Sequence, residues 1–198
     1  MADPAALLNA ANRGDAATVR AQIAAGTDLE SRSTKGETAL LLATHGNHVE
    51  AARALIEAGA DVNAKDQMQD SAYLYAGARG HDEILALTLA HGADLNSTNR
   101  FGGTALIPAA ERGHVDTVAL LIAAGVDVNH VNRLGWTALI EAVILADGGP
   151  RHQDIARRLL AAGADPNIAD HDGQTPLQHA RRMGLTQMAQ ILQQAGGR

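Results

Sequence analysis

Glycine returns along this chain at a fixed interval. Gly26, Gly59, Gly92 and Gly125 stand 33 residues apart, and Gly163 follows after 38. A second marker keeps the same beat: Thr38, Ser71, Thr104, Thr137 and Thr175 are separated by 33, 33, 33 and 38. The two series report one period and a single insertion of five residues. Within a period, "TALLLATHG" and "HVEAARALIEAG" each place apolar residues at helical spacing and end at a glycine suited to a left-handed C-cap. A pair of short helices cannot bury its own apolar face, so it must stack on copies of itself. The period therefore predicts an all-α solenoid of helix-turn-helix units joined by hairpin-like loops.

The recurring text is "GETALLLATHGNHVEAARALIEAGADVNA", "GGTALIPAAERGHVDTVALLIAAGVDVNH" and "GQTPLQHARRMG". It resembles the ankyrin repeat, with that family's T-P-L-H-x-A opening, central Gly-His and closing G-A-D-V-N. The resemblance runs through six repeats, approximately 3–32, 33–65, 66–98, 99–131, 132–169 and 170–196, read as a single ankyrin-repeat domain over 1–198. Asp3-Pro4 reads as an N-cap followed by proline in the first turn, and Gln187, Gln190, Gln193 and Gln194 give the last helix a polar outer side. Both ends are thus expected to be caps. The segments "NRFGGTALIPAAERGH", "HVNRLGWTALIEAV" and "DGGPRH" are similar to a group of bacterial six-repeat ankyrin proteins, a resemblance that carries no activity with it.

Composition narrows the function. The chain has 198 residues, 16 Lys+Arg against 22 Asp+Glu, and a net charge of −6, which argues against a basic face for nucleic acid. The absence of cysteine removes disulfide frameworks, thiol nucleophiles and cysteine-based zinc sites. No apolar run approaches the ~18 residues of a spanning helix. The expectation is a cytoplasmic monomer without membrane contact or cofactor. No HExxH, GxSxG or P-loop pattern occurs, so nothing announces an enzyme.

Most of the polar recurrence reads as scaffold. His48, His81, His114 and His152 fall at the start of successive second helices, where the family resembled uses histidine structurally rather than to bind metal. Asp61, Asp94, Asp127 and Asp165, with Asn63, Asn96, Asn129 and Asn167, lie in the recurring loop and are expected to satisfy backbone groups there. Asn47 stands where Gly80, Gly113 and Gly184 stand, and asparagine tolerates the positive φ of that turn. Gln69 replaces the glycine seen as Gly36, Gly102, Gly135 and Gly173, which should strain or remodel the third loop.

The remaining departures gather in repeats three to five. All four aromatics, Tyr73, Tyr75, Phe101 and Trp136, lie there. Phe101 and Trp136 occupy loop positions that ankyrin proteins vary to suit their partners, beside Met68, Asp70, Arg100 and Leu134. Aromatics beside arginine are the composition of an interface hot spot. Glu141 is level with Leu42, Tyr75, Pro108 and His179 on the first helices, facing the stack interior. A carboxylate there needs a partner or a solvated cavity, and His179, Arg100 and Arg112 are the candidates. Pro108 sits near the end of a first turn, where its missing N–H begins to matter. In the fifth repeat "LADGGPRHQ" replaces the Gly-His turn, and a longer loop is a cheap place for function.

Two function classes follow. The resemblance implies a non-catalytic protein–protein interaction module, binding through loop tips and concave inner helices of repeats three to five. Its expected partner-binding residues are Met68, Asp70, Arg100, Phe101, Glu111, Arg112, Trp136 and Glu141. The alternative is a small-molecule or ion site, conceivably enzymatic, between repeats four and five, where Glu111 and Glu141 would converge with Trp136, Arg100 and His179 if long side chains bridge the ~8–10 Å between neighbouring helices.

Overall fold

The computed structural model describes residues 1–145 and 148–198. Among them are twelve helices: α1 (Pro4–Arg13), α2 (Ala16–Ala24), α3 (Ala39–His45), α4 (Val49–Glu57), α5 (Ala72–Arg79), α6 (Asp82–Ala90), α7 (Leu106–Glu111), α8 (Val115–Ala124), α9 (Ala138–Ile144), α10 (Pro150–Ala161), α11 (Pro176–Arg182) and α12 (Thr186–Gln194). The described residues contain one isolated antiparallel bridge, Arg32 with Thr38, and no strand. No helix among them is long and apolar enough to cross a membrane. The chain forms two compact units: Met1–Ala76 with His81–Arg100, and Gly77–Gly80 with Phe101–Arg198.

In the first unit α1 packs on α3, α2 on α4 and α4 on α6; in the second α7 packs on α9, α9 on α11, and α8 and α12 on α10. First helices thus stack on first helices and second on second. Two residues after the recurring hydroxyl, Leu40, Leu106, Leu139 and Leu177 are buried in their units. Asp3 caps α1 through bonds from the N–H groups of Ala5 and Ala6, followed by Pro4 as expected.

Loop asparagines tie one repeat to the next. Asn63 donates to the Gly92 carbonyl (2.9 Å) and accepts from the Asp94 N–H (2.8 Å). Asn129 does the same with Gly163 and Asp165, and Asn167 with Gly196 and Arg198. The preceding aspartates close each loop locally, as where Asp61 accepts from Asn63 N–H at 2.8 Å. The histidines secure the neighbouring turn: His48 bonds the Asn12 carbonyl, His81 that of Thr44 and His152 that of Glu111. These residues are scaffold, as their periodicity indicates.

Asn47 and Gln69 have positive φ, 51° and 64°. The third loop is therefore strained rather than remodelled. Asp66 accepts from the N–H groups of Met68 and Asp70, just as Asp170 accepts from Asp172 and Gln174, and these bonds hold Gln69 left-handed. Tyr73 occupies the buried leucine register of the first unit. Burial, reinforced by the charge of Asp94, raises its phenol pKa, and its hydroxyl has no hydrogen-bond partner. Tyr75 instead packs at a tilt against His45, with ring centroids 4.3 Å apart and planes at 55°.

Gln69→Gly should raise stability in urea by roughly 0.5–1 kcal/mol, the left-handed strain less the entropy glycine adds to the unfolded chain. Gly135→Ala should do the reverse by roughly 2 kcal/mol, because its φ is 81° and a Cβ would lie 2.6 Å from the His171 ring and 2.9 Å from the His171 nitrogen. Tyr73→Phe should stabilise by about 1 kcal/mol by deleting a buried unpaired hydroxyl. Urea denaturation followed by circular dichroism checks all three.

Candidate functional site

Each repeat from the second onward carries a loop anchor five residues before the helix-opening hydroxyl, namely Ser33, Asp66, Asn99, Asn132 and Asp170. In the sixth repeat Asp170 takes two loop N–H groups on Oδ1 and the His179 ring on Oδ2 at 2.6 Å. Arg182, a pure donor, bonds His179 Nδ1 at 2.9 Å, so Nε2 carries the proton and donates to Asp170. Burial alone would raise the Asp170 pKa; bonds from Gln174, His179 and Asp172 outweigh it and lower it.

The fifth repeat builds the same frame with the polarity inverted. Asn132 Oδ1 accepts from the N–H groups of Leu134 (2.9 Å) and Trp136 (3.0 Å), and its amide donates to Glu141 Oε1 at a long 3.4 Å. Glu141 is 4% exposed, and its Oε2 has no hydrogen-bond partner. Burial first, then the negative charge of Glu111 on α7, pushes its pKa up to about 7, while the Asn132 bond and the Arg112 charge pull the other way. The pairing of Glu141 with His179 anticipated from register does not form, because both His179 nitrogens are committed within the sixth repeat. Arg112 directs Nη1 to the Ala78 carbonyl at 2.7 Å and acts on Glu141 only through its field.

Pro108 alters the helix below. In the second, third, fifth and sixth repeats the hydroxyl accepts from the N–H three residues on, and the hydroxyl residue's carbonyl accepts from the N–H four on, as in Ile140 to Thr137 Oγ1 and Glu141 to Thr137 O. Proline has no N–H to give Thr104, so the Ile107 N–H turns to the Thr104 carbonyl at 3.3 Å. Thr104 Oγ1 is left buried and without a partner. α7 begins two residues after Thr104, which puts Pro108 at its third position, where the N–H would lack a helical acceptor anyway.

Above this, the loop tips expose apolar surface. Phe101 and Leu134, each three residues before the helix-opening hydroxyl, are both 49% exposed. The Arg133 N–H donates to the Phe101 carbonyl at 2.9 Å, linking the two loops, and Trp136 is half-buried. Glu111 is half-buried and Arg112 exposed, so the second unit holds Phe101, Glu111, Arg112, Trp136 and Glu141. Met68, Asp70 and Arg100 belong to the first unit, where Met68 is 51% exposed at the tip of its loop.

The insertion differs from the expected long loop. Gly149 caps α10 and Pro150 occupies its first position, so the helix starts two residues before His152 and takes up part of the extra length. Ala146 and Asp147 lie outside the described residues. Asn132 was not among the expected site residues, although its register with Asp66 and Asp170 marks it.

These features define a class. Models described as ankyrin repeats match residues 7–99, 74–170 and 148–193, and the chain belongs to the ankyrin-repeat family. A crystal structure of an ankyrin repeat domain from Acinetobacter baumannii AYE is 58% identical, covering 99% of this chain and all of that one, with a TM-score of 0.96. The crystal structure of the ankyrin repeat protein EF0377 is 46% identical over 98% of this chain and 99% of that one, with a TM-score of 0.95. YahD of Escherichia coli (strain K12) is 46% identical over 56 residues, 28% of either chain. The fold is an ankyrin-repeat solenoid, typically a protein–protein interaction module.

A carboxyl whose pKa is raised on folding holds its full stability below the unfolded value of 4.5 and loses it as pH climbs through about 7. The wild type should therefore lose up to about 3 kcal/mol between pH 5 and 8 through this group. Glu141→Gln should flatten that slope and exceed the wild type at pH 8, as measured by urea midpoints across pH.

Proposed function

We propose that the chain is a non-catalytic module that holds a partner protein on the second unit through Phe101, Glu111, Arg112, Trp136 and the buried Glu141. The observation that carries this reading is the exposure of Phe101 and Leu134 at equivalent tips of neighbouring loops, beside a half-buried tryptophan. Soluble proteins keep such apolar side chains apart unless a surface is used. Trp136 supplies the anchor and the charged groups set orientation. Met68, Asp70 and Arg100 are proposed separately as partner contacts of the first unit by itself, and a bacterial cytoplasm as the setting. A second reading, a site for a small cation, draws on the unpartnered Glu141 Oε2.

Quantitative affinity capture from the native host tests the reading, followed by titration of the captured protein. Trp136→Ala should weaken binding about 30-fold, matching a hot-spot loss of about 2 kcal/mol. Glu57→Ala, on the exposed side of α4, should leave it unchanged. Binding lost with Glu57→Ala and kept with Trp136→Ala places the interface elsewhere.

A further inference from the structure

Glu141 and Glu111 form an arrangement that is unfavourable in the isolated protein. Glu141 is buried with one oxygen unsatisfied, and the charge of Glu111 on the neighbouring helix acts against its ionisation. Glu111 is half-buried, and no hydrogen bond or ion pair ties its carboxylate among the described residues. α7 packs directly on α9, so the two carboxyls stand on adjacent helices. Among the described residues the Asn132 bond and the Arg112 charge offset this only in part. The Asn132 amide is shared with one oxygen at 3.4 Å, Arg112 is engaged by Ala78, and His179 on α11 is held by Asp170 and Arg182. No charged group of α10 acts on Glu141.

Two carboxyls that repel each other, one with an unused acceptor, gain most from a positively charged donor. Calcium or magnesium fits poorly, since each asks for six or more oxygens, and no group of three His, Asp or Glu that could hold any metal ion comes together among the described residues. The arginine field beside Glu141 also opposes a doubly charged ion. A primary ammonium suits the site better, with one positive charge and three donors on a slender stem. Phe101 and Leu134, both 49% exposed in the same unit, offer apolar surface to the stem and flanking residues of a peptide.

We propose that the Glu111–Glu141 pair of the second unit receives a primary ammonium, presented by a lysine side chain of the partner protein. This rests on the interaction-module reading and names the chemistry its partner must carry. Because a cation between the carboxyls favours the ionised form, binding expels the proton that Glu141 holds near neutral pH. Affinity therefore rises with pH across the Glu141 titration.

The test uses the full chain and small probes. Nα-acetyl-lysine methylamide is titrated while the Glu141 carboxyl carbon is followed by NMR and, in every variant, the fluorescence of Trp136, the single tryptophan, is recorded. The norleucine analogue, of the same shape without charge, and magnesium chloride serve as further arms at matched ionic strength. An N-terminal amine is the other source of the same chemistry, and glycine methylamide represents it. The expected result is saturable lysine binding that lowers the Glu141 midpoint by at least half a pH unit. It should strengthen at least threefold from pH 6 to 8 and weaken at least fivefold in Glu111→Gln and Glu141→Gln, with the norleucine probe inert. Circular dichroism should show both variants folded. Equal binding of lysine in Glu141→Gln, a matching response to norleucine, or a midpoint moved by magnesium or glycine methylamide but not by lysine overturns the proposal. If the captured partner still depends on Trp136 while lysine fails, only the ammonium assignment falls. Loss of the Trp136 dependence removes the reading beneath it.

Discussion

No pair of helices in this chain can stand alone, and every local feature answers to that constraint. A seven-residue first helix such as α3 and a nine-residue second helix such as α4 leave one apolar side and several loop polar groups uncovered. The next repeat supplies both needs at once. Helix covers helix, while Asn63, Asn129 and Asn167 reach across to the carbonyl and N–H of the following loop. Hydrogen bonding and burial are therefore satisfied by the same neighbour, which keeps the register of stacking fixed.

The repeat frame makes substitutions legible because each one has equivalents to compare with. The loop anchor and the helix residue nine positions on form one slot, filled by Asp170 with His179 in the sixth repeat and by Asn132 with Glu141 in the fifth. In the former both partners are satisfied. In the latter the donor is a weak, shared amide and the acceptor keeps an idle oxygen. Pro108 does something similar one repeat earlier, leaving Thr104 Oγ1 without its usual donor. Deviations from a repeating rule concentrate here, as expected where a scaffold is asked to do more than stack.

Periodicity carried the fold. Two markers at the same interval fixed the helix pairs, and the structural roles of Asn47 and the recurring histidines followed from register. The site was legible only in part. That Glu141 faces inward could be read from its level with Leu42 and Tyr75, but its partner could not, because hydrogen bonding depends on rotamers and on what else competes. His179 looked available in sequence, yet Asp170 within its own repeat claims it. Pro108 was expected near the end of a first turn and lies at the third position of α7, but the orphaned Thr104 Oγ1 could not be read from sequence. Tyr73 shares repeats three to five with Phe101 and Trp136, yet its place two residues after Ser71 puts it in the buried leucine register. The start of α10 also escaped, since a Gly-Gly-Pro run reads equally as loop or as helix entry.

A carboxyl kept buried against a like charge costs stability at neutral pH, and an uncharged side chain at the same register avoids that cost, as the half-buried Leu42 and Tyr75 do in the first unit. Asn132 increases the significance of this choice, since the side chain that donates to Glu141 also fixes the backbone of Leu134 and Trp136. The charge state of the inner helix and the conformation of the exposed loop therefore share one residue. Once Glu141 is ionised, its demand for the amide proton of Asn132 rises, and the loop is held by the oxygen of that same amide. Whatever neutralises the carboxylate from outside bears simultaneously on the helix and on the loop that presents the tryptophan, which is how a small departure in one slot becomes part of a recognition surface.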